Sequence, residues 1–258
     1  MSKEEKIISL NDFKKNRGVS LVKEKPCTDV YVVDYDRQIF IYEGRPFTGV
    51  SVQYYDHKNE KKMSELCCKN GKAHGLWTWW YKNGQKKCEE YYKDGQETGL
   101  YTHWHRNGQK QYEGYYKNGQ ANGLHTGWHK NGQKQGEVHY KDGKENGRLT
   151  TWFEIGQKKS EEHYKDGQAN GLHTWWHRNG QKQGEGYYKN GQVNGLHAHW
   201  HKNGQKQGEE HYKDGKLDGR VTGWYKNGQK EDEGHFKGGK RDGIFTLWCE
   251  NGKKKYET

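Results

Sequence analysis

Residues 89–110 read Glu-Glu-Tyr-Tyr-Lys-Asp-Gly-Gln-Glu-Thr-Gly-Leu-Tyr-Thr-His-Trp-His-Arg-Asn-Gly-Gln-Lys. Two turn dipeptides, Asp94-Gly95 and Asn107-Gly108, punctuate a stretch rich in Tyr, Thr, His and Trp. Asp-Gly and Asn-Gly flanked by β-favouring residues are strong hairpin signals, because both residues of each pair tolerate positive φ. The segments between such turns hold about six residues, which suits a strand and leaves no room for a useful helix. The stretch therefore predicts a β-hairpin.

Working outward, the same residues return every 24 positions. Trp80, Trp104, Trp128, Trp152, Trp176, Trp200, Trp224 and Trp248 form one row; Gly75, Gly99, Gly123, Gly147, Gly171, Gly195, Gly219 and Gly243 form another. Glu recurs from Glu65 to Glu257 at the same interval. A fixed period in this range marks a repeat architecture. It also leaves no obvious place for a unique catalytic constellation. The predicted fold is all-β: an elongated, single-layer antiparallel meander of stacked β-hairpins with about 16–18 strands, each unit contacting its neighbours.

Composition is consistent with such an array and not with a thick core. Of 258 residues only 29% are hydrophobic and 36 are glycine, a balance that would suggest disorder, but aromatics reach 14% and fall at regular spacing. The formal charge of +11 permits acidic proteins, anionic lipid or nucleic acid as partners without choosing among them. Five cysteines, Cys27, Cys67, Cys68, Cys88 and Cys249, show no CxxC pair and predict reduced thiols. No signal-peptide-like run and no apolar stretch of membrane-spanning length is visible, so a cytoplasmic location is expected.

Three regions are expected. Residues 1–27 read as an N-terminal extension, partly disordered, with a short helix around Leu10–Lys15. Residues 28–62 read as a capping hairpin and a degenerate repeat whose turn is Asn59-Glu60. Residues 63–258 read as an array of eight 24-residue repeats. An atypical terminal unit is what an open sheet edge requires.

Strand alternation sorts the side chains into two faces. Leu100, Thr102 and Trp104 share one, in rows that barely vary between units, and are expected to be the packed face. Arg148 and Arg220 interrupt the Leu row. Tyr101, His103 and His105 share the other, where the rows drift. That drifting face is expected to be exposed, or to carry whatever specificity exists, through Tyr101, His103, His105, His125, His129, His173, Trp175, His177, His197, His199 and His201.

Around these residues the chain resembles the MORN-repeat variant family, of the YwqK-like antitoxin type. The matching pattern, Glu-x-x-Tyr-Lys-Asp-Gly-x-x-x-Gly-x-x-Thr-x-Trp-Tyr-x-Asn-Gly-Gln-Lys, stands at residues 209–230 with few departures. The resemblance implies an elongated hairpin stack, protein binding, scaffolding or dimerisation, sometimes lipid contact, and no catalytic residues. Ile155-Gly156 in place of Asn-Gly and Gly238-Gly239 in place of Asp-Gly put those single turns in question.

Several chemistries compete with a purely structural reading. His197, His199 and His201 alternate on one strand, as chelating imidazoles would, but Trp, Tyr, Leu and Thr occupy the same rows, so no metal or cofactor is expected. Were all 15 His protonated, the charge would rise from +11 to +26 (11 + 15), strengthening binding to an acidic partner below about pH 6.5. Nine repeated Glu offer no unique acid–base pair. Aromatic rows could stack nucleobases, but they are needed for packing, so nucleic acid is disfavoured. The roles left open are a non-enzymatic scaffold for a protein partner or for self-association, an antitoxin- or immunity-like factor, a component of a large assembly such as a virion, and a peripheral binder of anionic lipid.

Overall fold

The computed structural model describes residues 30–34, 39–42, 44–56 and 61–258. The expected extension over 1–27, its helix, Cys27 and the Asn59-Glu60 turn lie outside the described residues. Two compact units are distinguished, one ending at Gly132 and one beginning at Gln133. No helix occurs among the described residues.

In the first unit, β1 (Val30–Asp34), β2 (Ile39–Tyr42) and β3 (Arg45–Pro46) form a small antiparallel sheet. The repeats follow as β4 (Gly49–Asp56), β5 (Lys61–Lys69), β6 (Lys72–Trp80), β7 (Lys86–Lys93), β8 (Gln96–Glu97), β9 (Gly99–Trp104), β10 (Lys110–Lys117) and β11 (Gln120–Trp128). Successive strands pair antiparallel, with β8 and β9 both on β7. The small sheet docks on the first repeat turn: Phe40 N–H donates to Gly71 O, and Gly71 N–H to Phe47 O, each at 2.8 Å. Phe40 and Phe47 are buried with Leu66, Cys68, Ala73, Trp77 and Tyr92 in one apolar cluster.

The second unit runs β12 (Lys134–Lys141), β13 (Lys144–Trp152), β14 (Lys158–Lys165), β15 (Gln168–Ala169), β16 (Gly171–Trp176), β17 (Lys182–Lys189), β18 (Gln192–Trp200), β19 (Lys206–Lys213), β20 (Lys216–Trp224), β21 (Lys230–Lys237), β22 (Lys240–Arg241), β23 (Thr246–Trp248) and β24 (Lys254–Glu257). It is likewise an antiparallel succession of hairpins. The twenty-one strands from β4 onward exceed the expected count because three of them are split, β8/β9, β15/β16 and β22/β23. The first two splits lie just before a residue of the invariant Gly row and the third contains one, Gly243; all of that row have positive φ, for example Gly99 at 79° and Gly171 at 119°. The other units keep a continuous strand but shift register at the corresponding place, as between Glu113 and Tyr115. The row is glycine because a bulge there needs a left-handed backbone.

The two turns of each unit differ in kind, a point that dipeptide signals alone do not separate. At Asp94-Gly95 both residues have positive φ, 53° and 87°, as a two-residue type I′ hairpin requires. At Asn107-Gly108 only the glycine does, at 84°; Gly108 N–H donates to His105 O at 2.9 Å, and His105 N–H to Gln109 O at 2.8 Å. This is a three-residue loop closed by a left-handed glycine. Both departures in the sequence fit this division. Gly238, at φ 57°, occupies the left-handed slot of the first turn type, and Ile155 occupies a slot that needs no positive φ. Neither disrupts its turn.

Candidate functional site

The Leu–Thr–Trp face carries a repeated ladder. Lys110 and Glu113 are ion-paired although three residues apart on one strand, a spacing that simple alternation places on opposite faces. The register shift between Lys110 and Tyr112 inserts one extra residue and returns both to one face. Nine such Lys–Glu pairs occur among the described residues, at 2.6–2.7 Å for Lys62–Glu65, Lys158–Glu161 and Lys182–Glu185. Eight of these lysines also lie over the Trp eighteen residues ahead, with Nζ 5.0–5.9 Å from the ring centroid. Between them the Thr row is buried, each Thr flanked across the strands by Glu, as Thr102 is by Glu89 and Glu113.

The Leu row departs from expectation. Leu100, Leu124, Leu172 and Leu196 are 43–50% exposed, and Ile244 continues the row exposed. Thr and Trp of the same face are covered by the Lys–Glu ladder; Leu sits at the far end of the strand, beyond its reach. Its cross-strand partners are also exposed: Leu100 faces Tyr115 and Leu172 faces Tyr187. Arg148 opposite His163 and Arg220 opposite His235 continue the row in the second unit. The first unit thus presents a stripe of Leu and Tyr, and the second a stripe of Leu, Tyr, His and Arg. Sequence reading missed it by equating constancy with burial, although Arg148 and Arg220 mark a position that tolerates a charge and so cannot be core.

The drifting face is correspondingly not the free surface expected. Its first row is the interior: Trp77, His125 (1% exposed) and His173 (3%) are buried, with Tyr101 and His197 half-buried. His125 Nδ1 meets Tyr112 Oη, and its Nε2 bonds Tyr115 O at 2.9 Å. His173 Nε2 bonds His163 O at 2.9 Å, and its ring lies 4.4 Å from that of Tyr188. Trp175 packs on Tyr188 and His197, and Tyr101 stacks on His103 at 4.7 Å. Room comes from glycine: a Cβ on Gly114 would lie 2.3 Å from His125, and on Gly186 1.8 Å from His197.

His105, His177 and His201 have a different job. Each Nε2 bonds the backbone carbonyl of the Trp 23 residues ahead, Trp128, Trp200 and Trp224, at 3.0–3.1 Å. Tyr81 and Tyr225 do the same through their hydroxyls, and Tyr55 bonds Trp80 O 25 residues ahead, which explains why His and Tyr interchange there. His129, in the same row, is half-buried.

Two clusters combine imidazole with acid. Cys88, Glu90 and His103 converge in the first unit and His197, His199 and Glu210 in the second. In the first, Glu90 accepts from Tyr92 Oη at 2.8 Å and from the Cys88 thiol at 3.4 Å. Burial opposes ionisation of Glu90, but the His103 imidazole 3.7 Å away and the bonds from Tyr92 and Cys88 win and hold its carboxyl below the usual range. Burial pushes the Cys88 thiol up and the Cys68 thiol to about 12, so both stay protonated. Burial, then His199, depresses the His197 imidazole; burial depresses His125. The full rise to +26 is therefore not reached near pH 6.5.

Antiparallel hairpins repeating at 24 residues, a half-buried aromatic interior and a ladder of neutralised charge define a β-hairpin repeat protein. The chain belongs to the MORN repeat variant family, whose profile matches residues 73–94, 97–118, 121–142, 169–190, 193–214 and 217–237, just over half of the sequence. Repeats of this family generally mediate interactions and are generally not enzymatic. The unmatched residues 145–166 contain Arg148 and Ile155 yet keep the same hairpin path. Comparison with curated proteins gives no match. Among the described residues no helix is long and apolar enough to cross a membrane.

Proposed function

We propose that this protein is a non-enzymatic scaffold that docks a specific protein partner through the exposed Leu–Tyr stripe that each of its two units presents. The stripe is the observation that carries the reading. Single exposed apolar residues are ordinary, but Leu100 and Leu124 recur beside Tyr91 and Tyr115 in the first unit, and Leu172 and Leu196 beside Tyr187 in the second. Tyr and Arg are favoured at the centres of protein interfaces. The ladder lysines are each matched to a Glu, so the basic balance of that face is largely spent within the sheet. That weighs against anionic lipid and nucleic acid as ligands of the ladder face.

In this reading residues 145–166 and 241–258 count as further copies, giving eight repeats over 63–258. Residues 28–62 cap them, a role supported by Phe40 and Phe47 covering Trp77. A stripe facing one partner suits an antitoxin- or immunity-like factor of the YwqK-like type as well as a structural component of a large particle; both are protein-binding roles. The unpaired Cys67, Cys68, Cys88 and Cys249 favour a reducing, cytoplasmic setting.

The test is affinity capture from the native source at physiological salt, with mass spectrometry of what co-purifies and a parallel flotation assay with anionic vesicles. One protein recovered in stoichiometric amount, a second copy included, is expected. Recovery of the chain alone, or association with vesicles and nothing else, would overturn the proposal.

A further inference from the structure

We propose that His197, His199 and Glu210 form a binding site for a first-row divalent transition-metal ion, of which Zn²⁺ is the natural probe. The site is not the alternating histidine trio visible in the sequence. His201 leaves it, because its Nε2 is engaged by Trp224 O at 3.1 Å. Glu210 enters it from the next strand, directly opposite His197 in the β18–β19 register.

Three features distinguish this cluster from an incidental meeting of polar groups. First, one ligand atom from each residue lies within 4.8 Å of the others. Around a tetrahedral ion at about 2.0–2.1 Å, donor atoms stand roughly 3.4 Å apart, a gap that small rotations of the side chains close. Second, the imidazoles are uncommitted. His197 Nε2 is buried with no hydrogen-bond partner, and no described hydrogen bond or ion pair engages His199. The other imidazoles of this interior row, at 125 and 173, are both tied to protein groups. Third, Glu210 is already oriented: Tyr212 Oη donates to its Oε2 at 2.8 Å, leaving Oε1 to bind. A hydrogen-bonded carboxylate of this kind is the usual support of a metal ligand.

The surroundings admit an ion. His199 and Glu210 border a recess of about 380 Å³ whose wall includes Gly208 and Gly223, paired across β19–β20 without side chains. Asp232 borders the same recess and can supply a fourth oxygen or hold a bound water. Two imidazoles and a carboxylate with one open position suit zinc and its neighbours rather than calcium or magnesium, which take oxygen ligands. The Cys88–Glu90–His103 cluster also has an unpartnered imidazole nitrogen, His103 Nε2, but both oxygens of its Glu90 are taken, one by Tyr92 and the other by Cys88.

The test titrates the full chain with Zn²⁺ by calorimetry and with Co²⁺ by visible absorption. One ion per chain with a tetrahedral cobalt spectrum is expected. Glu210→Gln and His199→Thr should each weaken binding about tenfold or more; His201→Ala and Cys88→Ser should leave it unchanged. Thr already occupies the equivalent position at Thr151, so His199→Thr is compatible with the fold, and circular dichroism verifies each variant. Glu210→Gln, nearly isosteric, keeps the test decisive if His199→Thr unfolds. Absence of saturable binding, equal loss in His201→Ala, or binding unaffected in Glu210→Gln would overturn the proposal.

Discussion

At the residue scale, most positions in a unit are explained by one local requirement. In the three-residue turn, only glycine must be left-handed; the Asn before it serves through its side chain. Asn179 Nδ2 donates to Lys202 O at 2.8 Å, and Asn203 and Asn227 repeat the bond 23 residues ahead. Ile155 cannot, and is exposed instead. Ile155→Asn should add that bond to the carbonyl of Arg178 and raise stability by about 0.5–1.5 kcal/mol in denaturant unfolding. The interior glycines give a sharper contrast. Gly186→Ala places a methyl into the His197 ring, and should cost about 1–3 kcal/mol. Gly136→Ala meets nothing nearer than 3.8 Å at an ordinary φ, and should be neutral or stabilising by up to about 1 kcal/mol in the same assay. The turn glycines were legible in the sequence. The interior glycines were not, because their reason is a ring on a neighbouring strand.

At the element scale, hairpins are joined by contacts at both ends. Gly167 N–H donates to Glu145 O and Gly191 N–H to Ala169 O at one end; the Asn and His/Tyr bonds to carbonyls 23 residues ahead act at the other. Between them runs the Lys–Glu–Trp ladder. Hydrogen bonds from Lys158 and Lys230 hold the Glu161 and Glu233 carboxyls below their ordinary 4.5. A depressed carboxyl contributes stability above its unfolded pKa and loses it as pH falls through the folded one. His125 and His197, depressed from 6.5 by burial, act in the same direction, since the unfolded chain binds more protons between the two values. Asp232, raised by burial, partly offsets the acid step. Thermal midpoints should therefore fall in two stages, from just below pH 6.5 and again below about pH 4.5; a midpoint flat between pH 7 and 3.5 would refute the assignment. The strand-turn alternation was readable from the dipeptides. The bulge that turns Lys110 towards Glu113 was hidden, because a period of two places them on opposite faces.

At the scale of the whole molecule, a period of 24 residues makes the unit exchangeable within its own neighbourhood. Deleting residues 193–216, one full period inside the second unit, joins like to like and should preserve cooperative unfolding at a lower midpoint, whereas deleting twelve residues should abolish it. The sequence made the fold class and the unit plain. It misplaced two rows, because the first of the rows that vary is an interior of rings accommodated by glycine and a constant row, Leu, is surface, whereas the Thr row is buried as expected. The proposed division of labour follows: Thr, Trp, Lys and Glu hold the sheet, and Leu and Tyr meet the partner. Arg already occupies the Leu row at Arg148 and Arg220, where Arg220 Nη2 reaches Glu233 at 2.5 Å, so Leu→Arg is compatible with the fold. The most direct measurement is partner retention by a chain carrying Leu100→Arg, Leu124→Arg, Leu172→Arg and Leu196→Arg, compared with the unaltered chain at matched thermal stability. The account predicts that the variant unfolds at a similar temperature and loses the captured protein. Retention of that protein at undiminished affinity would contradict it.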